Sequence, residues 1–245
     1  LPCYLAYSNH CRQNVQTFVD SLDIPLITGA SHYNQENRRP YNAAFYLEPE
    51  ATAISSYSKM HLVPFGERTP YRDTFPILRS IDWTKWTGAL GPAEFSAGSK
   101  RTLFSHPSGA LGTLICFESI FPNLVRQHAQ AGAQALINVT NDSWFGNSAG
   151  PYQHALLNAM RAIENRISIA RCATSGQSLF IDRFGRRSQM SALYAETALV
   201  GEIKLNTTKY QGTFYTQHGD VFAQLCTIAG LVFVVILWFK PRRKI

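Results

Sequence analysis

Residues 221 to 239 constrain this chain more than any other stretch. They run from Val221 to Phe239 without a charge, and Gln224 is their most polar member. Nineteen residues at about 1.5 Å each make a helix close to ~30 Å long, the hydrocarbon thickness of a bilayer. A buried core helix is the competing reading. It is the weaker one, because such a helix keeps some polar side chains for its outer face and here almost none remain. One membrane crossing is therefore expected. Trp238 sits at its end, where aromatic belts form, and Lys240-Pro241-Arg242-Arg243-Lys244 follows at once. The positive-inside rule then puts the C-terminus in the cytoplasm and everything before Asp220 on the extracytoplasmic side.

The same tail explains the charge. Removing Lys240, Arg242, Arg243 and Lys244 from the formal +7 leaves an ordinary +3. No basic stripe interleaved with aromatics occurs elsewhere, so no nucleic-acid partner is expected. An apolar share of 45% and a charged share of 16% fit a packed core. The slightly negative mean hydropathy excludes a chain made mostly of membrane helices. The five cysteines (Cys3, Cys11, Cys116, Cys172, Cys226) are irregularly spaced, and no CxxC or HExxH occurs. No metal site is expected from them. Separate thiols are the first reading, with a Cys3–Cys11 disulfide as the alternative in an oxidising compartment. The opening Leu1-Pro2, without an initiating Met, predicts a piece of a longer protein.

Ahead of residue 221 the pattern alternates between helix and strand. Val15, Phe18, Val19 and Leu22 mark one helix face. Ile24 to Thr28 reads as a strand stopped by Gly29. Ala43–Leu47 and Thr52–Tyr57 read as a strand pair around Glu48-Pro49-Glu50. Leu111–Cys116, a helix over Phe121–Ala131, and Ala135–Val139 make a β-α-β unit. A helix over Pro151–Asn165 and strands at 167–172, 178–182 and 200–205 follow. This is a layered α/β domain. The expected organisation is a catalytic domain over 1–210, a linker over 211–220, the spanning helix over 221–239 and a basic tail over 240–245.

Residues 68 to 100 resist this scheme. They show no sustained period, yet they carry Tyr71, Phe75, Ile77, Leu78, Trp83, Trp86 and Phe95. A long aromatic loop inside a compact domain is expected to be functional. It reads as a lid that touches the membrane and gates lipid entry, with Trp83 and Trp86 as substrate-binding residues. The bland alternative is that its side chains cover a small core of their own.

Three positions invite a chemical reading. Cys116 ends an apolar strand in Leu114-Ile115-Cys116-Phe117-Glu118, with a helix shortly after. A nucleophile on such a turn projects outward, near backbone N–H groups that can meet an oxyanion. Taken alone, a strand-end Cys is more often a small core residue, and an isolated Lys59 or Glu67 is more often exposed. The combination is more telling. Lys59-Met60-His61-Leu62-Val63-Pro64-Phe65-Gly66-Glu67 is followed by Ile115-Cys116-Phe117-Glu118, then by Asn141-Asp142-Ser143-Trp144-Phe145-Gly146 and by Arg161-Ala162-Ile163-Glu164-Asn165. That order resembles the nitrilase superfamily from about Leu1 to about Leu205. With the final spanning helix it resembles the apolipoprotein N-acyltransferase branch.

The resemblance implies a nitrilase-like α-β-β-α sandwich with Cys116 as nucleophile and Lys59 at the tetrahedral oxyanion. Glu67 matches a further active-site glutamate, and Glu118 the carboxylate two residues past the nucleophile. Phe117, Asn141 and Trp144 fall on substrate-binding positions. Phe117 departs from the Tyr common in this branch, although its backbone N–H can still serve an oxyanion hole. The general-base Glu of the branch lies in a W-P-E-[ST]-A-x-P segment, whose tail Leu1-Pro2 matches. The base is thus expected ahead of Leu1, and the chain alone is expected to be inactive. Glu36, Glu48 and Glu50 sit in turns and are not placed to replace it. The implied partners are a phospholipid acyl donor, a diacylglyceryl lipoprotein acceptor and the bacterial inner membrane, with the catalytic domain periplasmic and monomeric. No metal or organic cofactor is implied. A membrane-anchored amidase using the same residues, and a non-catalytic nitrilase fold, are the competing readings.

Overall fold

The computed structural model describes residues 3–6, 8–79, 81, 94–207 and 209–239. Two sheets carry the fold. One holds β1 (Leu26–Asn34), β2 (Arg39–Leu47) and β3 (Ser55–Ser58), all antiparallel. The other has six strands in chain order: β4 (Leu103–His106), β5 (Gly109–Ile115), β6 (Ala135–Thr140), β7 (Ser168–Ala173), β8 (Leu179–Ile181) and β9 (Arg187–Ser188). Its β5, β6 and β7 are parallel and its outer pairs antiparallel. The helices are α1 (Asn9–Leu22), α2 (Pro122–Gln130), α3 (Gly150–Asn165), α4 (Phe214–His218) and α5 (Val221–Phe239).

Strand periodicity decides the layering. In β2, Ala43, Phe45 and Leu47 pack with Val19 of α1, while the alternate Ala44 and Tyr46 face the other sheet. There they meet Tyr57, Phe104, Leu111, Ile115 and Ala135. In the six-stranded sheet, Leu114, Leu136 and Ile169 turn the other way and pack with Val125 of α2 and Ala155, Ala159 and Ala162 of α3. Three apolar clusters thus separate four layers, helix, sheet, sheet, helix, as expected. Both faces of β5 and β6 are covered, which is why these strands read as nearly continuous apolar runs.

Several local expectations need correction. Gly29 does not stop β1; it pairs with Ala44 in mid-strand, and the strand continues to Asn34. The reversal comes where the Asn34 side chain accepts the N–H groups of Glu36 and Asn37. The third strand starts at Ser55, later than Thr52. On α1 only the Cys11–Val15–Val19 edge packs inward, while Phe18 and Leu22 are exposed. Residues 200–205 form no strand. Ile203 and Leu205 pack between the sheets, but the backbone is tied by single bonds, Asn206 N–H to the Gln134 carbonyl at 2.9 Å and Ser168 Oγ to the Lys204 carbonyl at 2.8 Å. The linker region contains α4, capped by Thr213 and held to α3 by Thr216 Oγ1 on Asn165 at 3.0 Å. Cys3 and Cys11 form a disulfide, so the alternative reading holds.

Helix α3 buries polar side chains beside its core-facing alanines, unlike an ordinary surface helix. Its inward face carries His154, Asn158, Arg161 and Asn165, while Tyr152, Leu156 and Met160 point outward. His154, Asn158 and Arg161 border the turn at Cys116–Ile120.

Buried His128 on α2 yields a pH prediction. Burial, with the Arg101 charge, lowers its pKa to about 4 from an unfolded value of 6.5. The folded state therefore holds it neutral while the unfolded state takes a proton, so stability falls as pH drops below 6.5 and keeps falling to about 4. The full effect is about 3 kcal/mol. Melting temperatures in detergent should fall more steeply from pH 7 to pH 5 for the parent than for His128→Leu. Parallel slopes would show that His128 does not govern acid sensitivity.

Candidate active site

Strand β5 ends at Ile115, and the chain then reverses through a 3-10 turn over Cys116–Ile120. Cys116 adopts φ 51°, in the left-handed region. For a residue with a Cβ that costs about 1–3 kcal/mol and persists only where the surroundings enforce it. The turn places Cys116 on the wall of a cavity of about 180 Å³, lined by Val63, Gly66, Glu67, Cys116, Phe117, Trp144, Phe145 and His154. The wall is mostly apolar, and Trp144, 63% exposed, stands at its rim.

Lys59 follows β3 and is fully buried. Its Nζ lies 2.7 Å from Glu67 Oε2. Glu67 also accepts Val63 N–H at 2.8 Å and the Asn42 side-chain amide at 2.8 Å. The Val63–Arg68 loop is closed on itself by Glu67 N–H to the Val63 carbonyl at 2.9 Å, with Phe65 at φ 61°. A cation and a carboxylate thus arrive beside the Cys116 cavity from the smaller sheet, while the thiol arrives from the larger one.

Glu118 joins the two. It is fully buried, and its Oε2 accepts Ile115 N–H at 2.8 Å. Its Oε1 accepts the Tyr57 hydroxyl at 2.8 Å and the N–H groups of Met60 at 2.6 Å and His61 at 3.2 Å. Burial pushes this carboxyl up, against the pull of four donors. Glu118 does not line the cavity. It ties the segment after β3 to the Cys116 turn.

The other site expectations divide. Phe117 and Trp144 line the cavity with Cys116, and Phe117 packs edge-on to Phe121. Asn141 does not. Its side-chain oxygen accepts Ser143 N–H and Ser175 Oγ, and it lines a separate groove of about 580 Å³ with Cys172 and residues 27–31 of β1. Trp83 and Trp86 lie outside the described residues. The ends of their loop are stitched together beside the site, Phe95 N–H to the Glu67 carbonyl at 2.9 Å and Arg68 Nη1 to the Phe95 carbonyl at 2.7 Å. Tyr71, Phe75 and Ile77 on the same loop are exposed. Glu36, Glu48 and Glu50 do not line the cavity.

Residues 6–210 match the carbon-nitrogen hydrolase family. The chain belongs to the carbon-nitrogen hydrolase family. It is 34% identical over 243 residues to the apolipoprotein N-acyltransferase of Geobacter metallireducens, covering 98% of this chain and 44% of that protein. It is 38% identical over 201 residues to that of Chlorobaculum tepidum, covering 80% and 36%. The chain thus spans less than half the length of these relatives. In fold it is similar to Nit3 of Saccharomyces cerevisiae, a nitrilase-superfamily member, with a TM-score of 0.56 at 20% identity, covering 74% of this chain and 60% of that one. An amidase from Nesterenkonia sp. superposes with a TM-score of 0.54 at 18% identity, over 79% and 68%.

This member of the family also places beside the Cys116 cavity residues that the sequence reading did not single out. Asn42 and Tyr57 orient the two glutamates from within β2 and β3, where they read as ordinary strand residues. His154 lines the cavity from α3. A signal existed for it: His154, Asn158, Arg161 and Asn165 recur at helical spacing, a polar stripe facing the protein.

Proposed function

We propose that this chain carries the acyl-transfer chemistry of an apolipoprotein N-acyltransferase. The observation that supports this best is the wall around Cys116, which Glu67 shares with Val63, Phe117, Trp144 and Phe145, with the buried Lys59 paired to Glu67 behind it. Such a wall suits an acyl chain. The Cys116 thiolate attacks a phospholipid ester carbonyl, forming a C–S bond. The oxyanion is met by Lys59 and by the backbone N–H at Phe117. Collapse breaks the ester C–O bond, and the lysophospholipid oxygen takes the proton that the thiol gave up. The amine of a diacylglyceryl-cysteine lipoprotein then attacks the thioester, forming the amide and returning the thiolate, with ping-pong kinetics. The proton carrier is the glutamate that the resemblance places ahead of Leu1.

Helix α5, fully exposed over its length, is the membrane anchor in this reading. The catalytic domain lies on the periplasmic side of the bacterial inner membrane, as a monomer, with the C-terminus cytoplasmic. The Cys3–Cys11 disulfide supports an oxidising compartment. The loop after Glu67 acts as the lipid lid, and its exposed Tyr71, Phe75 and Ile77 support that role.

One experiment tests both parts. The full-length membrane protein is given bilayer phospholipid with a diacylglyceryl peptide, a short-chain soluble thioester with the same peptide, or small aliphatic amides. N-acyl peptide should form from both acyl donors, and the amides should remain intact. Ammonia release from the amides without N-acyl peptide would favour the amidase reading. Phe75→Ser with Ile77→Ser should slow the bilayer donor and spare the soluble one; equal losses on both would remove the lid.

A further inference from the structure

Behind Cys116 lies a buried polar chain that the mechanism above leaves unused. His154, on the first turn of α3, is almost fully buried. Its Nε2 lies 3.2 Å from the carbonyl oxygen of Cys116 and 3.2 Å from Ser119 Oγ, while its Nδ1 lies 2.9 Å from Asp142 Oδ1. The Ser119 hydroxyl donates to the same Cys116 carbonyl at 3.2 Å. Asp142 also accepts Thr140 Oγ1 at 2.9 Å and pairs with Arg171. Burial would raise the Asp142 carboxyl, but His154, Arg171 and Thr140 together hold it below the usual carboxylate range. Arg171 continues to Asn138, and Asn138 Nδ2 donates to the Leu114 carbonyl at 3.1 Å, two residues before the nucleophile.

This arrangement answers a question that the backbone raises. Cys116 stands at φ 51°, and something must hold it there. Its carbonyl, the group that a relaxing turn would swing away, is gripped by His154 and Ser119. A carbonyl can only accept, so the contact requires a hydrogen on His154 Nε2. Buried charged networks seldom add stability over an apolar core, which leaves specification of one geometry as the reason to build one here.

We propose that His154 is a positioning residue for the nucleophile, holding the Cys116 turn through its carbonyl, with Asp142 and Arg171 fixing the imidazole. The proposal rests on Cys116 being the nucleophile of the preceding reading. It predicts which part of the imidazole matters. Glutamine places its amide nitrogen near the position of Nε2, and asparagine near that of Nδ1. His154→Gln therefore keeps a donor for Cys116, whereas His154→Asn keeps only the Asp142 contact.

The test uses the full-length membrane protein and two rates. One is iodoacetamide alkylation of Cys116, followed by peptide mass between about pH 6 and pH 9. The other is single-turnover thioester formation from phospholipid. His154→Asn should slow both by about tenfold or more at an unchanged melting temperature, as a misplaced reacting group does. His154→Gln should keep at least about a third of each rate, with the parent's pH profile. Full rates in His154→Asn would overturn the proposal. So would a His154→Gln as slow as His154→Asn, and a shifted pH profile in His154→Gln would mean that the imidazole itself moves protons. Should His154→Asn fail to fold, Ser119→Ala removes a donor to the same carbonyl and must slow alkylation; parent-like alkylation there overturns the proposal. If alkylation follows the predicted order but no phospholipid thioester forms even in the parent, the acyltransferase reading fails and the positioning role stands.

Discussion

Cys116→Ala in the full-length protein is expected to eliminate acyl-enzyme formation, and Cys116→Ser to come close. Cys116 is the thiol that lines the cavity shared with Glu67, on a left-handed turn that only a packed surrounding can hold. Serine keeps the turn but replaces a thiol with a hydroxyl of much higher pKa, which neither Lys59 nor a carboxylate base ionises as readily. Cys172, on the separate groove, is the internal control: Cys172→Ala should leave turnover near the parent value. Parent-like thioester formation in Cys116→Ala, read by hydroxylamine-sensitive acyl label, would remove Cys116 from the mechanism.

Lys59→Met should lower the acylation rate by at least about a hundredfold, close to 2.7 kcal/mol of transition-state stabilisation. Methionine preserves much of the stem volume, and Glu67 keeps its bonds to Val63 and Asn42, so the fold should survive. A fully buried lysine is rare without a partner or a task, and Lys59 has Glu67 at 2.7 Å. The oxyanion exists only during the reaction, so the loss should fall on kcat with KM for phospholipid little changed. Pre-steady-state acylation with a folding check decides this. A raised KM at normal kcat would make Lys59 a substrate-binding group instead.

Much of this architecture was legible in the sequence for a physical reason. Strands β5 and β6 are covered on both faces, so their apolar runs announce themselves, and Gly132 and Pro151 mark helix ends. Residues 200–205 show the limit: the same apolar alternation packs Ile203 and Leu205 between sheets without forming a ladder, the segment being held by single bonds at Lys204 and Asn206. Gly29 misled for the opposite reason, since a glycine facing Ala44 is tolerated inside a paired strand. Cys116 and the Lys59–Glu67 loop could be picked out as candidates because each lies in a short local motif. Glu118 was found but not its task, which depends on four donors drawn from β3, the segment after it and β5. His154 and Arg171 were not singled out: the polar stripe at helical spacing marks the His154 face, but nothing local to either residue shows that it meets the Cys116 turn or Asp142.

Peptide mass spectrometry reads directly whether Cys116 carries a thioester drawn from phospholipid. The full-length protein is incubated with a phospholipid of one defined acyl chain and no acceptor, then digested under acidic conditions. One acyl chain is expected on the Cys116 peptide, released by hydroxylamine and discharged by adding a diacylglyceryl peptide with a free amine. An unmodified Cys116 peptide in protein that turns over, or the acyl chain found on Cys172 instead, would contradict that expectation.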